Sequence, residues 1–177
     1  MPITKPAKII TSLRLMPGDV VADFGCGDGH YIREVEDKIS SSGTLYAIDI
    51  QKPLLDSIVS KNKENGLSNI IPIWTDLEEF PRTPIKAGSA DAVILANILF
   101  MLPETGPLLR EANRILKKGG SLLIVDWHKG LTLHIPPREK IRSQEEIVTS
   151  CLLAGFKVTS APPAGSHQYA IMCEKQK

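Results

Sequence analysis

Along nearly the whole chain, short apolar runs alternate with stretches in which apolar residues recur every three or four positions. The runs read as strands and the helical period as amphipathic helices. The pattern predicts a leading helix over residues 5–15, ended by Pro17-Gly18, and a first strand over 20–24. A helix starting near Gly29 then carries Ile32, Val35 and Ile39 on one face. A second strand, 44–48, ends at Asp49, after which Pro53 opens a helix burying Leu54, Leu55, Ile58 and Val59, closed by Asn65-Gly66.

A third strand, 70–74, ends at Asp76, and a fourth, 90–96, is apolar enough for a central parallel strand covered on both faces. Pro107 starts a helix burying Leu108, Leu109, Ala112, Ile115 and Leu116, with Lys117-Lys118 at its C-terminus to complement the dipole. A fifth strand covers 121–126. Ser143-Gln144-Glu145-Glu146 is a capping box for a last helix that stops at Gly155, and 156–160 with 168–173 form a closing hairpin. The fold class expected is α/β, a doubly wound sheet with its ligand crevice at the carboxyl ends of the strands. Residues 1–177 are expected to form one domain, with 1–17 as helix and lead-in.

Composition narrows the partners. With 21 basic and 20 acidic side chains the net charge is +1, so no broad basic field for nucleic acid is present. The longest apolar run, 92–102, contains Asn97 and is far shorter than the roughly 20 residues of a membrane span. The first eight residues hold two prolines and no apolar segment of the secretory type follows. These features predict a soluble, cytoplasmic protein, a monomer or homodimer. Cys26, Cys151 and Cys173 lack metal-ligand spacing and read as reduced thiols, so no metal site is expected.

The chemistry concentrates in Val20-Val21-Ala22-Asp23-Phe24-Gly25-Cys26-Gly27-Asp28-Gly29. A strand runs into a three-glycine turn, with an acid two places before the first glycine. In a dinucleotide site of the Gly-x-Gly-x-x-Gly type a pyrophosphate lies on the helix N-terminus, where such a carboxylate would repel it. Here the third glycine comes one residue early and His30 stands where that pattern has glycine. A ligand with a cationic end suits the loop better. Asp49, about 20 residues on, has the spacing of an acid that binds both ribose hydroxyls, a feature shared with nicotinamide enzymes.

The loop resembles the first motif of class I S-adenosylmethionine-dependent methyltransferases, and the resemblance extends over nearly the whole sequence. It implies a Rossmann-like sheet of seven strands in order 3-2-1-4-5-7-6, the seventh antiparallel, and S-adenosyl-L-methionine as cofactor. It assigns Asp23, Gly25, Cys26 and Gly27 to the cofactor's methionine end and Asp49 to the ribose. Ile50 would pack on the adenine face, Asp76 and the Leu77 amide would bind the adenine edge, and Asn97 would lie near the transferable methyl. The Asp126-Trp127 pair and the proline-bearing loop through Ile135-Pro136-Pro137-Arg138 resemble a group of small methyltransferases of the type 11-like kind, related to the ubiquinone and menaquinone methyltransferases. Those relatives commonly carry histidine after strand four, where this chain has Phe100-Met101.

The expected reaction is methyl transfer, in the 2.1.1 enzyme class, to a small-molecule acceptor. In-line displacement at a sulfonium methyl needs alignment and exclusion of water more than strong acid or base groups. Were a base required, His30 and His128 are the candidates, with His134 and His167 beyond them. Cys26 as a catalytic thiol, in the manner of arsenite methyltransferases, is the minor alternative to a structural role. Two other classes remain open on sequence alone, a nicotinamide-dependent oxidoreductase and a non-catalytic S-adenosylmethionine-binding protein.

Overall fold

The computed structural model describes residues 5–66, 68–79, 82–129 and 141–176. Its elements are α1 (Pro6–Ile10), β1 (Val20–Phe24), α2 (Ile32–Ile39), β2 (Thr44–Asp49), α3 (Lys52–Glu64), β3 (Ile70–Trp74), β4 (Ala90–Ala96), α4 (Gly106–Ile115), β5 (Leu116–Trp127), α5 (Gln144–Leu153), β6 (Phe156–Ser160) and β7 (Gln168–Lys175). The seven strands form one sheet in the order β3-β2-β1-β4-β5-β7-β6. The first five are parallel, and β7 runs antiparallel to β5 and β6. The α/β class, strand order and antiparallel last strand are those anticipated.

Strand side chains alternate between two cores. On one face Phe24, Val93, Leu95, Leu122 and Ile124 meet Leu108, Leu109, Ala112 and Ile115 of α4 and Ile147 and Cys151 of α5. On the other, Val21, Ile94, Leu123 and Val125 meet α1, α2 and α3 through Ile9, Val35, Ile39, Leu55 and Ile58. Burial on both faces is why β4 and the centre of β5 carry scarcely any polar residue.

Three boundaries depart from expectation. The leading helix ends at Ile10 and continues as a 3-10 turn, Thr11–Leu13, because Arg14 turns left-handed (φ 51°) to lead into the turn before β1. α2 begins at Ile32, since Gly25, Gly27 and Gly29 all have positive φ, which no α-helix admits. Leu116 is buried as anticipated, but from β5, where it pairs with Ala90 ahead of a bulge. Lys117 accordingly forms an ion pair with Asp91 at 2.6 Å. The capping box of α5 is present, with Ser143 and Glu146 bonded reciprocally.

Candidate functional site

The carboxyl ends of β1, β2, β3, β4 and β5 open on a cavity of about 510 Å³, of the size that holds small ligands. All nine residues expected around a cofactor line it: Asp23, Gly25, Cys26 and Gly27 at β1, Asp49 and Ile50 at β2, Asp76 and Leu77 after β3, and Asn97 after β4. His30 also lines it, whereas the His128 ring stands edge-on to Tyr169, 5.7 Å between centroids, and does not. His167 is bonded through Nδ1 to the Ser166 hydroxyl at 2.9 Å. His134 and the Ile135-Pro136-Pro137-Arg138 stretch lie outside the described residues.

Asp49 organises the glycine loop. Its Oδ2 accepts the Gly27 N–H at 2.8 Å and its Oδ1 the Gln51 N–H at 2.9 Å, so one carboxylate ties the loop after β1 to the turn after β2. Gly25 and Cys26 both donate their N–H to the Ile48 carbonyl. At Gly25 the backbone has φ 74°, which favours glycine, and a Cβ there would press on the tip of the Ile98 side chain at 2.5 Å. At Gly27 the backbone is left-handed (φ 54°) and no atom lies within 4 Å of the Cβ position. That open space belongs to the cavity.

Asp23 is buried, and no described donor reaches its carboxyl. Burial, reinforced by the neighbouring Asp49 charge, pushes its pKa up to about 7. The same causes, burial first and then the Asp23 and Asp49 charges, push the Cys26 thiol well above its ordinary range. Asp76 accepts the Glu78 N–H at 2.8 Å and the Glu79 N–H at 3.3 Å through Oδ1, turning the chain so that Leu77 faces the cavity.

The opposite wall is built after β4. Asn97 has φ 55°, a conformation asparagine tolerates better than most side chains. Its N–H bonds the Val125 carbonyl and its Oδ1 accepts from Gln168 Nε2 at 2.6 Å, so β5 and β7 hold it. Beyond it the 3-10 turn Leu99–Met101 is gripped from two sides. Asp126 Oδ2 accepts the Leu99 N–H at 3.1 Å, and the Arg142 guanidinium donates to the carbonyls of Leu99, Leu102 and Pro103 at 2.6, 2.7 and 2.9 Å. Ile98, Met101 and Leu102 from this segment, with Trp127 at the end of β5, form an apolar margin to the cavity.

Sequence reasoning did not single out Tyr31, Arg142 or Gln168. Tyr31, directly after the glycine loop, could have been marked as an aromatic beside a ligand turn. Arg142 and Gln168 act 39 to 71 residues away, and no local pattern announces such partners.

A glycine loop at the end of the first strand, an acid at the end of the second and a crevice over the sheet define an α/β protein that binds a nucleotide-type cofactor. The chain belongs to the methyltransferase-domain family, whose model, described as "Methyltransferase domain", matches residues 22–124. It is 32% identical to the aklanonic acid methyltransferase DauC of Streptomyces sp. (strain C5), over 68% of this chain and 54% of that protein. It is 25% identical to the demethylmenaquinone methyltransferase of Lactococcus lactis subsp. lactis (strain IL1403), over 68% of this chain and 46% of that one. A SAM-dependent methyltransferase from Aquifex aeolicus superposes with a TM-score of 0.86 at 25% identity, covering 97% of this chain and 90% of its own. The chain spans 36% to 58% of the length of eight curated relatives it matches. Among the described residues no helix is long and apolar enough to cross a membrane, and no cluster of His, Cys, Asp and Glu is arranged to hold a metal ion.

Proposed function

We propose that the protein transfers the methyl group of S-adenosylmethionine to a small-molecule acceptor, acting in the cytoplasm. The observation that carries this reading is the paired lock of Asp49 on Gly27 and Gln51, beside the buried carboxyl of Asp23. The cavity fits the group: the open left-handed Gly27 lets a ligand lie on the loop, and Asp23 faces where a cationic end would rest. Asp49 keeps a lone pair on each oxygen for ribose hydroxyls. Ile50 and Leu77 offer apolar contact to adenine, and Asp76 Oδ2, not used by the turn, accepts from its amino group.

When bound, the cofactor supplies a methyl group activated as a sulfonium. The chain's own part is to align the acceptor and exclude water, and the apolar margin of Ile98, Met101, Leu102 and Trp127 suits both. Asn97, held by Gln168, fixes the wall between the two ligands. His30 is the histidine placed to take a proton from an acceptor that needs help, since it lines the cavity.

Against a nicotinamide reading stands Asp23, whose carboxyl would face a pyrophosphate laid on the loop. Calorimetric titration with S-adenosylmethionine and NAD, followed by labelled methyl transfer to a small-molecule cell extract, tests the proposal. Binding of the first alone and a labelled product are expected. Binding of NAD instead would overturn the cofactor, and binding without turnover on any extract would reduce the protein to a cofactor binder.

A further inference from the structure

The buried stripe of α3 runs Leu55, Ile58, Asn62, so an amide stands where the helical period calls for an apolar side chain. Asn62 is 5% exposed, and its Oδ1 has no hydrogen-bond partner among the described residues. Facing it from α2, Glu36 is half-buried, and its Oε1 is likewise buried without a described partner. Burial first and then the Asp37 charge raise the Glu36 pKa, and the neighbouring Asn62 amide opposes them. Acceptors without donors destabilise a protein interior, and such groups are rare enough to call for a reason.

Both residues line a second cavity, of about 390 Å³, between α2 and α3. None of the nine residues proposed for the cofactor lines it, and with the larger cavity it shares Asp28 alone. Its walls carry three acids, Asp28, Glu36 and Asp37, against two bases, Arg33 and Lys61. Among the described residues no ion pair joins any of these five to another. The cavity thus has an excess of one negative charge, and Ile32, Ile58 and Ile70 give it an apolar side. Among the described residues no group of His, Cys, Asp and Glu is arranged to hold a metal ion, which favours an organic cation.

We propose that this cavity is a second ligand site, for a primary alkylammonium whose N–H groups donate to Glu36 Oε1 and Asn62 Oδ1 while its aliphatic stem lies on Ile32, Ile58 and Ile70. A primary ammonium has three N–H donors, enough for both oxygens, whereas a quaternary ammonium has none. Glu36, being only half-buried, can turn its carboxyl to admit the group. Two sources share this chemistry. A simple amine ends in hydrocarbon, while an amino acid adds a carboxylate, which the exposed Arg33 and Lys61 receive at the rim.

The test follows the backbone amides of the cofactor-free protein by nuclear magnetic resonance as n-butylamine, free leucine or tetramethylammonium is added at constant pH and ionic strength. The amine is expected to shift amides of α2 and α3 around Glu36 and Asn62 and to saturate with a Kd on the order of 1 mM, as suits so few heavy atoms. Tighter binding of leucine would identify an amino acid as the source, weaker binding a simple amine, and tetramethylammonium should move none of these amides. Glu36→Gln keeps the shape and removes the charge, so it is expected to melt no lower than wild type and to bind the amine about tenfold more weakly. Asn62→Leu, which completes the apolar stripe, should melt higher and bind about fivefold more weakly. No saturable shift with either primary ammonium would overturn the inference and leave the two oxygens to water. Equal binding of tetramethylammonium, or wild-type affinity in both variants, would overturn it as well.

Discussion

The carboxylate of Asp49 accepts the backbone N–H of Gly27 at 2.8 Å across 22 residues of sequence. The acid proposed to hold the ribose therefore also shapes the loop that receives the rest of the cofactor. Asp49→Ala is expected to weaken S-adenosylmethionine binding by about 1.5 to 3 kcal/mol in a calorimetric titration. Asp49→Asn should be nearly as harmful, because both oxygens face N–H donors and an amide presents its own N–H to one of them.

Gly27→Val puts a branched side chain into cavity space on a left-handed backbone. The strain should lower stability by about 1 to 2 kcal/mol, measurable by urea denaturation. Cofactor binding should be lost altogether, while circular dichroism shows the fold retained.

Asp23 gives a pH-dependent stability to the empty protein. Its folded-state pKa of about 7 exceeds its ordinary value of 3.8, so between those values the native state binds more protons than the unfolded one. Stability from this group is full below about pH 4 and is lost as pH rises through about 7. Asp23→Asn should remove that loss, leaving the variant more stable than wild type at pH 8 by on the order of 3 kcal/mol and closer to it at pH 5. The same variant should bind S-adenosylmethionine more weakly. Urea denaturation at the two pH values with a titration at pH 8 checks both signs.

Arg142 bridges three carbonyls of the segment after β4. Arg142→Met is expected to lower stability by about 2 to 3 kcal/mol, and Arg142→Lys to recover little, since one ammonium cannot match the planar fork. Because the grip acts on the wall proposed for the acceptor, S-adenosylmethionine affinity should stay within about threefold of wild type.

Glu111, buried on α4, accepts from Arg114 and from both the backbone and hydroxyl of Thr83. Burial raises its pKa, but these donors outweigh burial and hold it below the usual carboxylate value. Its contribution is full above pH 4.5 and fades as pH falls through the folded-state value. Glu111→Gln should lose about 2 to 3 kcal/mol at pH 7 and converge on wild type in acid, read from urea midpoints against pH.

The strands and the residues that line the cavity were legible because each rests on local rules, whereas the strand order was legible through the family resemblance. The run from Val20 to Gly29 encodes strand, turn and approach surface within ten consecutive residues. Asp49 ends its strand and Asp76 comes two residues after its own, so finding the strands found the acids. The acceptor wall was not legible in the same way. That Asn97 needs a partner follows from its apolar neighbours, but that the partner is Gln168 depends on β7 lying antiparallel beside β5. The early start of β5 at Leu116 was hidden because a buried leucine satisfies helix and strand periods equally at an element boundary.

The bond between Gln168 and Asn97 sets the order in which the working parts become complete. Every residue proposed to grip the cofactor up to Leu77 comes from the first half of the chain. The wall proposed for the acceptor is finished only when β7, the last of the seven strands in sequence order, lies between β5 and β6. A nascent or C-terminally clipped chain would thus lack the support that holds its acceptor wall.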